Sequence, residues 1–273
     1  MSVVRLRDAR LAYGPRVLWD GLDLDVAPGE FLAVLGPNGS GKTSLLRVLL
    51  GLQPLSSGTV EIHGEPVSRG STRVGYIPQQ RAVDATLSVR GRDLVTLGLE
   101  GHRWGFGLPF GAGRSRRARV DEVLAEVGAQ DYAHMPIGLL SGGEQQRLRV
   151  AQALVAGPEV LLCDEPLLSL DLAQQRIVSG LIAEQARLRG AGVLFVTHEI
   201  NPILPFVDRV LYLVEGRFRI GTPDEVMTSE TLSELYRTPV EVLRVHDRLV
   251  VVGAEQDGAL GATDVHHHVE TGG

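Results

Sequence analysis

The sequence predicts an α/β fold in which a mostly parallel sheet is combined with an N-terminal antiparallel β part and an inserted helical subdomain. Three observations support this. Short, continuous apolar runs recur along the chain and are separated by helical stretches, as a sheet with crossover helices requires. Polar and apolar residues alternate over about the first 30 positions. At 273 residues and 44% apolar content, the chain is large enough to bury a substantial core.

The predicted strands follow one another in a clear order. The alternation at residues 4–11 and 22–26 indicates antiparallel strands with one exposed face. A turn at residues 27–29 leads into the apolar run 30–36, which is suited to a buried strand. Further strands are expected in four apolar runs, at residues 73–77, 160–163, 193–196 and 210–214.

The clearest chemical signal follows the strand at residues 30–36. The chain contains 26 arginines and one lysine, and that lysine, Lys42, stands inside the sequence GPNGSGKT at residues 36–43. Lysine is a compact point charge on a thin stem, whereas arginine is a wide planar fork. Only the thin stem can rise through a tight loop of backbone N–H groups to a β- or γ-phosphate oxygen. Residues 44–51 then read as a helix that ends near Gly51 and Pro54.

This strand–loop–helix pattern predicts a P-loop NTPase core that binds a nucleoside triphosphate together with Mg²⁺. Gly39 and Gly41 allow the backbone to turn its N–H groups inward, next to the positive end of the helix. The hydroxyl of Thr43 is expected on Mg²⁺. The candidate nucleotide-binding residues of the loop are Gly36, Pro37, Asn38, Gly39, Ser40, Gly41, Lys42, Thr43 and Ser44.

The domain organisation is expected to be an ATP-binding α/β core formed by residues 1–85 and 141–253, with a helical subdomain at 86–140 and a flexible tail at 254–273. Within the helical block, helices are predicted from Val89 to Leu99 and from Ala118 to Val127. A Gly- and aromatic-containing loop at residues 101–113 joins them.

Composition restricts the possible partners. The formal charge of -6 and the pI near 5.8 argue against a nucleic-acid partner. One cysteine, Cys163, excludes an internal disulfide and fits a reducing compartment. No stretch approaches the ~20 apolar residues of a membrane span, and the N-terminus lacks an apolar segment that would serve as a signal peptide. A membrane role is therefore expected to come through a partner chain.

A second motif, LSGGEQQR at residues 140–147, distinguishes among phosphate-loop proteins. Ser141 and the two glycines after it begin a helix that runs to Leu154, so this is a second helix N-terminus suited to phosphate. One chain does not need two such surfaces for one γ-phosphate, but a dimer does if each protomer closes over its partner's nucleotide. On these residues the chain strongly resembles an ATP-binding-cassette (ABC) ATPase, over about residues 3–240.

The resemblance implies roles for further residues. The run at residues 160–166 resembles the Walker B strand, in which Asp164 would hold Mg²⁺ through water and Glu165 would orient and deprotonate the attacking water. Gln79 resembles the glutamine that contacts Mg²⁺ and the water, although the adjacent Gln80 competes for that assignment. His198 resembles the histidine that touches the γ-phosphate.

The same resemblance extends to the nucleotide's other contacts. Ser141 and Gly143 fall in the signature motif, and Asp171 ends the D-loop that crosses the dimer interface. Tyr13 matches the aromatic residue that stacks on adenine, and the alternative for it is a core tyrosine.

The resemblance implies an ATPase subunit of an importer, acting as a homodimer on the cytoplasmic face of the membrane with two permease subunits and, indirectly, an extracytoplasmic solute-binding protein. Residues 198–216 and 104–140 resemble the zinc/manganese uptake branch. The alternatives are the iron–siderophore and cobalamin branch and, less favoured, a soluble non-transport ABC ATPase. A P-loop kinase or GTPase would not contain residues 140–147.

Two further stretches have competing interpretations. The triplet His266–His268 has the side chains of a transition-metal site, but a mobile polar tail is the favoured interpretation. The arginine-rich residues 114–119 either face anionic lipid or form a solvated helix face, and the second is favoured.

Overall fold

The structure is a computed structural model that describes residues 2–79, 88–100 and 112–253. Gln80, most of the predicted loop at 101–113 and the tail with its triplet His266–His268 lie outside the described residues. No described helix is long and apolar enough to cross a membrane.

The described part of the chain contains twelve strands and seven α-helices. In chain order the strands are β1 (Val4–Tyr13), β2 (Arg16–Val26), β3 (Phe31–Leu35), β4 (Ser57–Ile62), β5 (Glu65–Pro66), β6 (Val74–Ile77), β7 (Val160–Asp164), β8 (Gly192–Val196), β9 (Arg209–Val214), β10 (Arg217–Gly221), β11 (Glu241–Val245) and β12 (Arg248–Val252). The helices are α1 (Lys42–Leu49), α2 (Gly91–Glu100), α3 (Ala112–Glu126), α4 (Gly142–Leu154), α5 (Leu172–Arg189), α6 (Pro223–Val226) and α7 (Ser229–Tyr236).

A six-stranded sheet forms the centre of the molecule, in the order β10-β9-β3-β8-β7-β6. All neighbouring pairs are parallel except β9 and β10, which form an antiparallel hairpin. Every residue of β3, β7 and β8 is buried, in keeping with their continuous apolar sequences. Because the strands are parallel, their carboxyl ends meet at one edge of the sheet. The predicted mostly parallel sheet is confirmed.

The N-terminal part is a separate antiparallel sheet in the order β2-β1-β4-β5, which confirms the expected antiparallel β part. Its alternating apolar residues form a core with α1 and one face of the central sheet. Trp19 of β2 is fully buried in this core. A Cβ added to Gly41 would lie 3.0 Å from Trp19 Nε1, so β2 lies directly behind the start of α1.

The helical part lies on the other face of the central sheet. Residues of α2, α3 and α4 form a second hydrophobic cluster with that face. Its first helix spans Gly91–Glu100, close to the predicted range. The second begins at Ala112 rather than at Ala118, so the arginine-rich residues 114–119 lie inside α3. The predicted start was too late because this polar first turn lacks an apolar period, and Arg114 and Arg117 are exposed there.

The C-terminal region contains a hairpin that the sequence interpretation did not predict. Strands β11 and β12 pair antiparallel around the two-residue turn His246-Asp247, with Val245 opposite Arg248. His246 has a φ of 54°, the positive value that tight hairpin turns require.

Replacing Gly98 by alanine should destabilise the helical part, because a Cβ at this position of α2 would lie 2.2 Å from the carbonyl oxygen of Gln152 in α4. Such overpacking costs roughly 1–3 kcal/mol. Gly113 in α3 is the matched control, since a Cβ there meets no heavy atom within 4 Å. Urea unfolding should show a loss for Gly98→Ala and no loss for Gly113→Ala. Equal stabilities of the two variants would contradict the tight α2–α4 contact.

Candidate active site

The phosphate-loop sequence connects the buried end of β3 to the start of α1. Gly36 has a φ of 137°, and a Cβ there would lie 2.0 Å from the carbonyl oxygen of Leu213 in β9. Only glycine fits a position where the backbone passes this close to a neighbouring strand. The loop therefore leaves the sheet between β3 and β9 and turns back at Gly41, which precedes α1 in a left-handed conformation.

Lys42 is the buried centre of this loop. Its side chain is 6% exposed, and Nζ donates hydrogen bonds to the carbonyl oxygens of Gly36 (2.6 Å) and Pro37 (2.9 Å). Burial lowers the pKa of Lys42, while the negative charges of Glu165 and Asp164 oppose that effect. The ammonium group is thus held inside the loop by two carbonyl oxygens and faces two carboxylates.

Asp164 is the last residue of β7 and lies at the carboxyl edge of the sheet. Thr43 Oγ1 donates to its Oδ1 at 3.2 Å, and the hydroxyl of Tyr76 on β6 donates to its Oδ2 at 3.3 Å. Burial raises the pKa of Asp164, although both hydrogen bonds act in the opposite direction. Burial also raises the pKa of Tyr76, to about 12. A desolvated carboxylate beside a hydroxyl is a set of hard oxygen donors that suits Mg²⁺.

Glu165 follows directly, and its side chain contacts two further residues of the site. Its φ of 46° is uncommon for a residue other than glycine, and its N–H donates to the carbonyl oxygen of Val196 at the end of β8 (2.9 Å). Gln79 Nε2 donates to its Oε2 at 3.2 Å, and His198 Nδ1 lies 3.8 Å from its Oε1.

The contact with the imidazole has opposite effects on its two partners. Pairing with His198 lowers the pKa of Glu165, and burial acts against it. The carboxylate in turn raises the pKa of His198. The arrangement keeps Glu165 ionised, as a group that accepts a proton must be.

Two cavities meet at Thr43 and Glu165, which line both. The first measures about 700 Å³ and is also lined by Gln79 and His198. The second measures about 410 Å³ and is also lined by Lys42. Other phosphate-loop residues on their walls are Gly36, Pro37, Asn38, Gly39, Gly41 and Ser44. Ser40 is buried, and its hydroxyl lacks a hydrogen-bond partner in the described part of the chain.

Tyr13 lies at the outer end of the smaller cavity. Its ring is half exposed, at 49%, and its hydroxyl donates to Gln53 Oε1 at 2.5 Å. The alternative of a core tyrosine does not fit that exposure. Beside it, Arg16 Nη2 donates to the carbonyl oxygen of Gly39 at 2.9 Å, so this arginine supports the phosphate loop from outside.

The residues of the second motif form a separate group. Ser141 caps α4 in a capping box with Glu144: its hydroxyl donates to Glu144 Oε2 at 2.7 Å and accepts the Glu144 N–H at 3.4 Å. A Cβ on Gly143 would lie 2.3 Å from Gln174 Oε1, and the N–H of Gln174 donates to Asp171 Oδ1 at 2.8 Å. The starts of α4 and α5 therefore touch through Gln174.

This second group lies apart from the cavities. Among the described residues, Ser141, Gly143 and Asp171 line neither of the two. Ser141 and Asp171 are both exposed.

Similarity to known proteins decides the family. The sequence pattern of the ABC transporter family matches residues 19–168, more than half of the chain. The chain belongs to the ABC transporter family. This membership confirms the predicted resemblance and the predicted enzyme class, an ATPase.

The relatives of this ATPase are named after different transported substances. It is 32% identical to the manganese transport system ATP-binding protein MntB of Bacillus subtilis, over 94% of this chain and 100% of that protein. It is 35% identical to the zinc transport system ATP-binding protein TroB of Treponema pallidum, over 85% and 86%. It is also 36% identical to the hemin import ATP-binding protein HmuV of Streptomyces coelicolor, over 85% and 82%.

A solved structure supports the same fold. One chain of an ABC transporter assigned to the metal-chelate type, in an inward-facing conformation, superimposes with a TM-score of 0.76 at 26% identity, covering 92% of this ATPase and 96% of that chain. The predicted P-loop NTPase core is confirmed.

Two residues of the site were missed by the sequence interpretation. Tyr76 and Arg16 contact Asp164 and the phosphate loop from other elements. Tyr76 stands in the apolar run that predicted β6, and its polar hydroxyl three residues before Gln79 was the available signal. Nothing in the sequence around Arg16 distinguishes it from the other arginines.

Proposed function

We propose that this ATPase powers the uptake of a divalent transition metal, zinc or manganese, as the nucleotide-binding subunit of an importer. The observation that carries the proposal is its similarity to manganese and zinc transport proteins over 85–94% of its length. The hemin relative favours a second candidate, an importer of a metal chelate such as an iron–siderophore or cobalamin. The manganese relative is matched over 94% of this chain and the hemin relative over 85%, which supports a metal ion as the first candidate.

In this proposal ATP occupies the two cavities that meet at Thr43 and Glu165. Tyr13 stacks on adenine at the outer end of the smaller cavity. Lys42 and the inward backbone of the loop contact the phosphates, and the N-terminus of α1 adds its partial positive charge. Thr43, Asp164 and Gln79 would hold Mg²⁺, which supplies charge neutralisation to the phosphates when bound.

Glu165 acts as the general base in hydrolysis. Its lowered pKa keeps the carboxylate ionised and able to accept a proton from water. Gln79 and His198 contact the two carboxylate oxygens and fix their direction. The imidazole, whose pKa is raised by the carboxylate, also lies beside the position proposed for the γ-phosphate.

The working species is a homodimer in which Ser141 and Gly143 of one protomer complete the partner's nucleotide site. Support comes from two observations: neither residue lines the two cavities of its own chain, and Ser141 is exposed. Asp171 lies next to the group through Gln174 and shares the interface. The dimer binds two permease subunits at the cytoplasmic face of the membrane, and a solute-binding protein delivers the cargo from outside. The acidic pI near 5.8 gives nucleic acid no role.

Lys42→Ala should abolish ATP binding, whereas Glu165→Gln should retain binding and lose turnover. The first change removes a contact to the phosphates that exists before reaction, and the second removes only the group acting on water. Isothermal titration and a phosphate-release assay separate the two effects. Lys42→Arg, as a control that keeps the charge, should still impair binding because its wider head does not fit the loop. Near wild-type turnover of Glu165→Gln would exclude this residue as the base.

A mixed dimer tests the shared site. One Lys42→Ala chain paired with one Ser141→Arg chain should keep one intact composite site, and therefore measurable ATPase activity. Each variant alone has two broken sites and should be inactive. An inactive mixed dimer would show that Lys42 and Ser141 act within one chain.

Cargo is tested in cells. A strain lacking this gene should grow poorly in chelated medium, with reduced cellular zinc or manganese, and the wild-type gene should restore both while Glu165→Gln should not. A chain without residues 254–273 should restore them as well, because the described ATP site lies outside that segment. Normal zinc and manganese with collapsed uptake of another solute would overturn the cargo and leave the ATPase assignment intact.

A further inference from the structure

We infer that Asn201 is a positioning residue that ties the C-terminal hairpin β11–β12 to the turn carrying His198. The inference rests on the proposed roles of Glu165 and His198 in hydrolysis. It adds a function for a hairpin that lies outside the phosphate loop, the Walker B strand and the signature motif.

The turn after β8 is a short, closely bonded segment. Thr197 Oγ1 donates to the carbonyl oxygen of Glu199 and accepts the Glu199 N–H, both at 3.1 Å. The N–H of Ile203 donates to the carbonyl oxygen of Ile200 at 3.0 Å. His198 lies inside this segment, so the place from which its imidazole reaches Glu165 is set by where the segment is held.

Asn201 connects that segment to the hairpin with two hydrogen bonds. Its Nδ2 donates to the carbonyl oxygen of Leu249 at 3.0 Å, and the N–H of Leu249 donates to its Oδ1 at 2.8 Å. One side-chain amide thus satisfies both backbone groups of one residue in β12, as a neighbouring strand would. A paired contact of this kind fixes direction as well as distance.

The hairpin is itself anchored to the core. Leu249 is 5% exposed and belongs to the main hydrophobic cluster. Leu249 and Val251 line the 700 Å³ cavity together with Glu165 and His198. On the other strand, Ser229 Oγ at the start of α7 accepts the N–H of Val242 at 2.8 Å.

The consequence is a chain of contacts from Leu249 of the hairpin through Asn201 to the turn of His198, and from there to Glu165. The 3.8 Å separation between His198 Nδ1 and Glu165 Oε1 depends on where the turn is held. Without the Asn201 side chain, the turn keeps its internal hydrogen bonds and loses both hydrogen bonds to Leu249. ATP binding, which uses the phosphate loop, should be unaffected, and hydrolysis should slow.

The test measures kcat, KM and ATP affinity of the full chain with Asn201→Ala, using Ser229→Ala as the matched control. Ser229→Ala removes one side-chain hydrogen bond to the same hairpin without touching the turn of His198. Asn201→Ala should lower kcat by about tenfold, with KM and ATP affinity within about twofold of wild type. Ser229→Ala should leave kcat within about twofold of wild type. Thermal unfolding of both variants is recorded alongside.

A double-variant cycle separates positioning from stability. In a His198→Ala background, adding Asn201→Ala should produce no further fall in kcat, because its effect passes through the imidazole. Asn201→Asp, which keeps the acceptor and loses the donor, gives a second variant should the alanine chain fail to fold, and the same cycle applies to it.

The inference is overturned if Asn201→Ala retains wild-type kcat, if its effect adds fully to that of His198→Ala, or if Ser229→Ala lowers kcat equally. Glu165→Gln, measured in the same assay, separates a failure of the proposed role of Glu165 from a failure of the positioning role of Asn201. Turnover by Glu165→Gln would defeat the proposed role of the glutamate itself, whereas an inactive Glu165→Gln with a fully active Asn201→Ala defeats only the positioning role.

Discussion

Burial of the Lys42 ammonium group is the constraint on which the site depends. A buried cation must be paired or hydrogen-bonded, since desolvation otherwise favours its neutral form. Here two loop carbonyl oxygens accept from Nζ, and the carboxylates of Asp164 and Glu165 supply opposing charge. The loop is therefore folded around its own lysine. Phosphate oxygens would take over as stronger, charged partners.

The parallel sheet brings the remaining groups to the same lysine. Strands β3, β7 and β8 are adjacent and wholly buried, so the residues after their carboxyl ends meet at one edge. That edge holds Thr43, Asp164, Glu165 and His198, although they are far apart in sequence. The two carboxylates at this edge differ in pKa. Burial raises the pKa of Asp164, whereas pairing with His198 outweighs burial at Glu165 and lowers its pKa. The pKa values of two neighbouring carboxylates are thereby shifted in opposite directions.

The sequence predicted what is local and missed what joins distant elements. The phosphate loop, the strand ending at Asp164 and the helix starting after Ser141 each have a continuous signature, and the structure has these elements where the sequence placed them. Tyr76 contacts a residue 88 positions away, Arg16 one 23 away and Asn201 one 48 away. Such contacts depend on strand order and register, and the apolar periodicity of the sequence predicts neither. The hairpin β11–β12 was missed although its strands flank a two-residue turn, because most residues of both strands are exposed and their sequences lack a regular apolar alternation.

The most direct test uses the single lysine of the chain. Protein labelled with ¹³C-lysine has one lysine side-chain signal, which reports Lys42 without ambiguity. Its pH titration by NMR should give a pKa below the ordinary value of 10.5 in the free protein, because burial disfavours the charge. Addition of Mg-ATP to Glu165→Gln protein should raise that pKa, since phosphate oxygens favour the ammonium form. If Lys42 had an ordinary pKa that Mg-ATP left unchanged, this would contradict both its burial and its contact with phosphate.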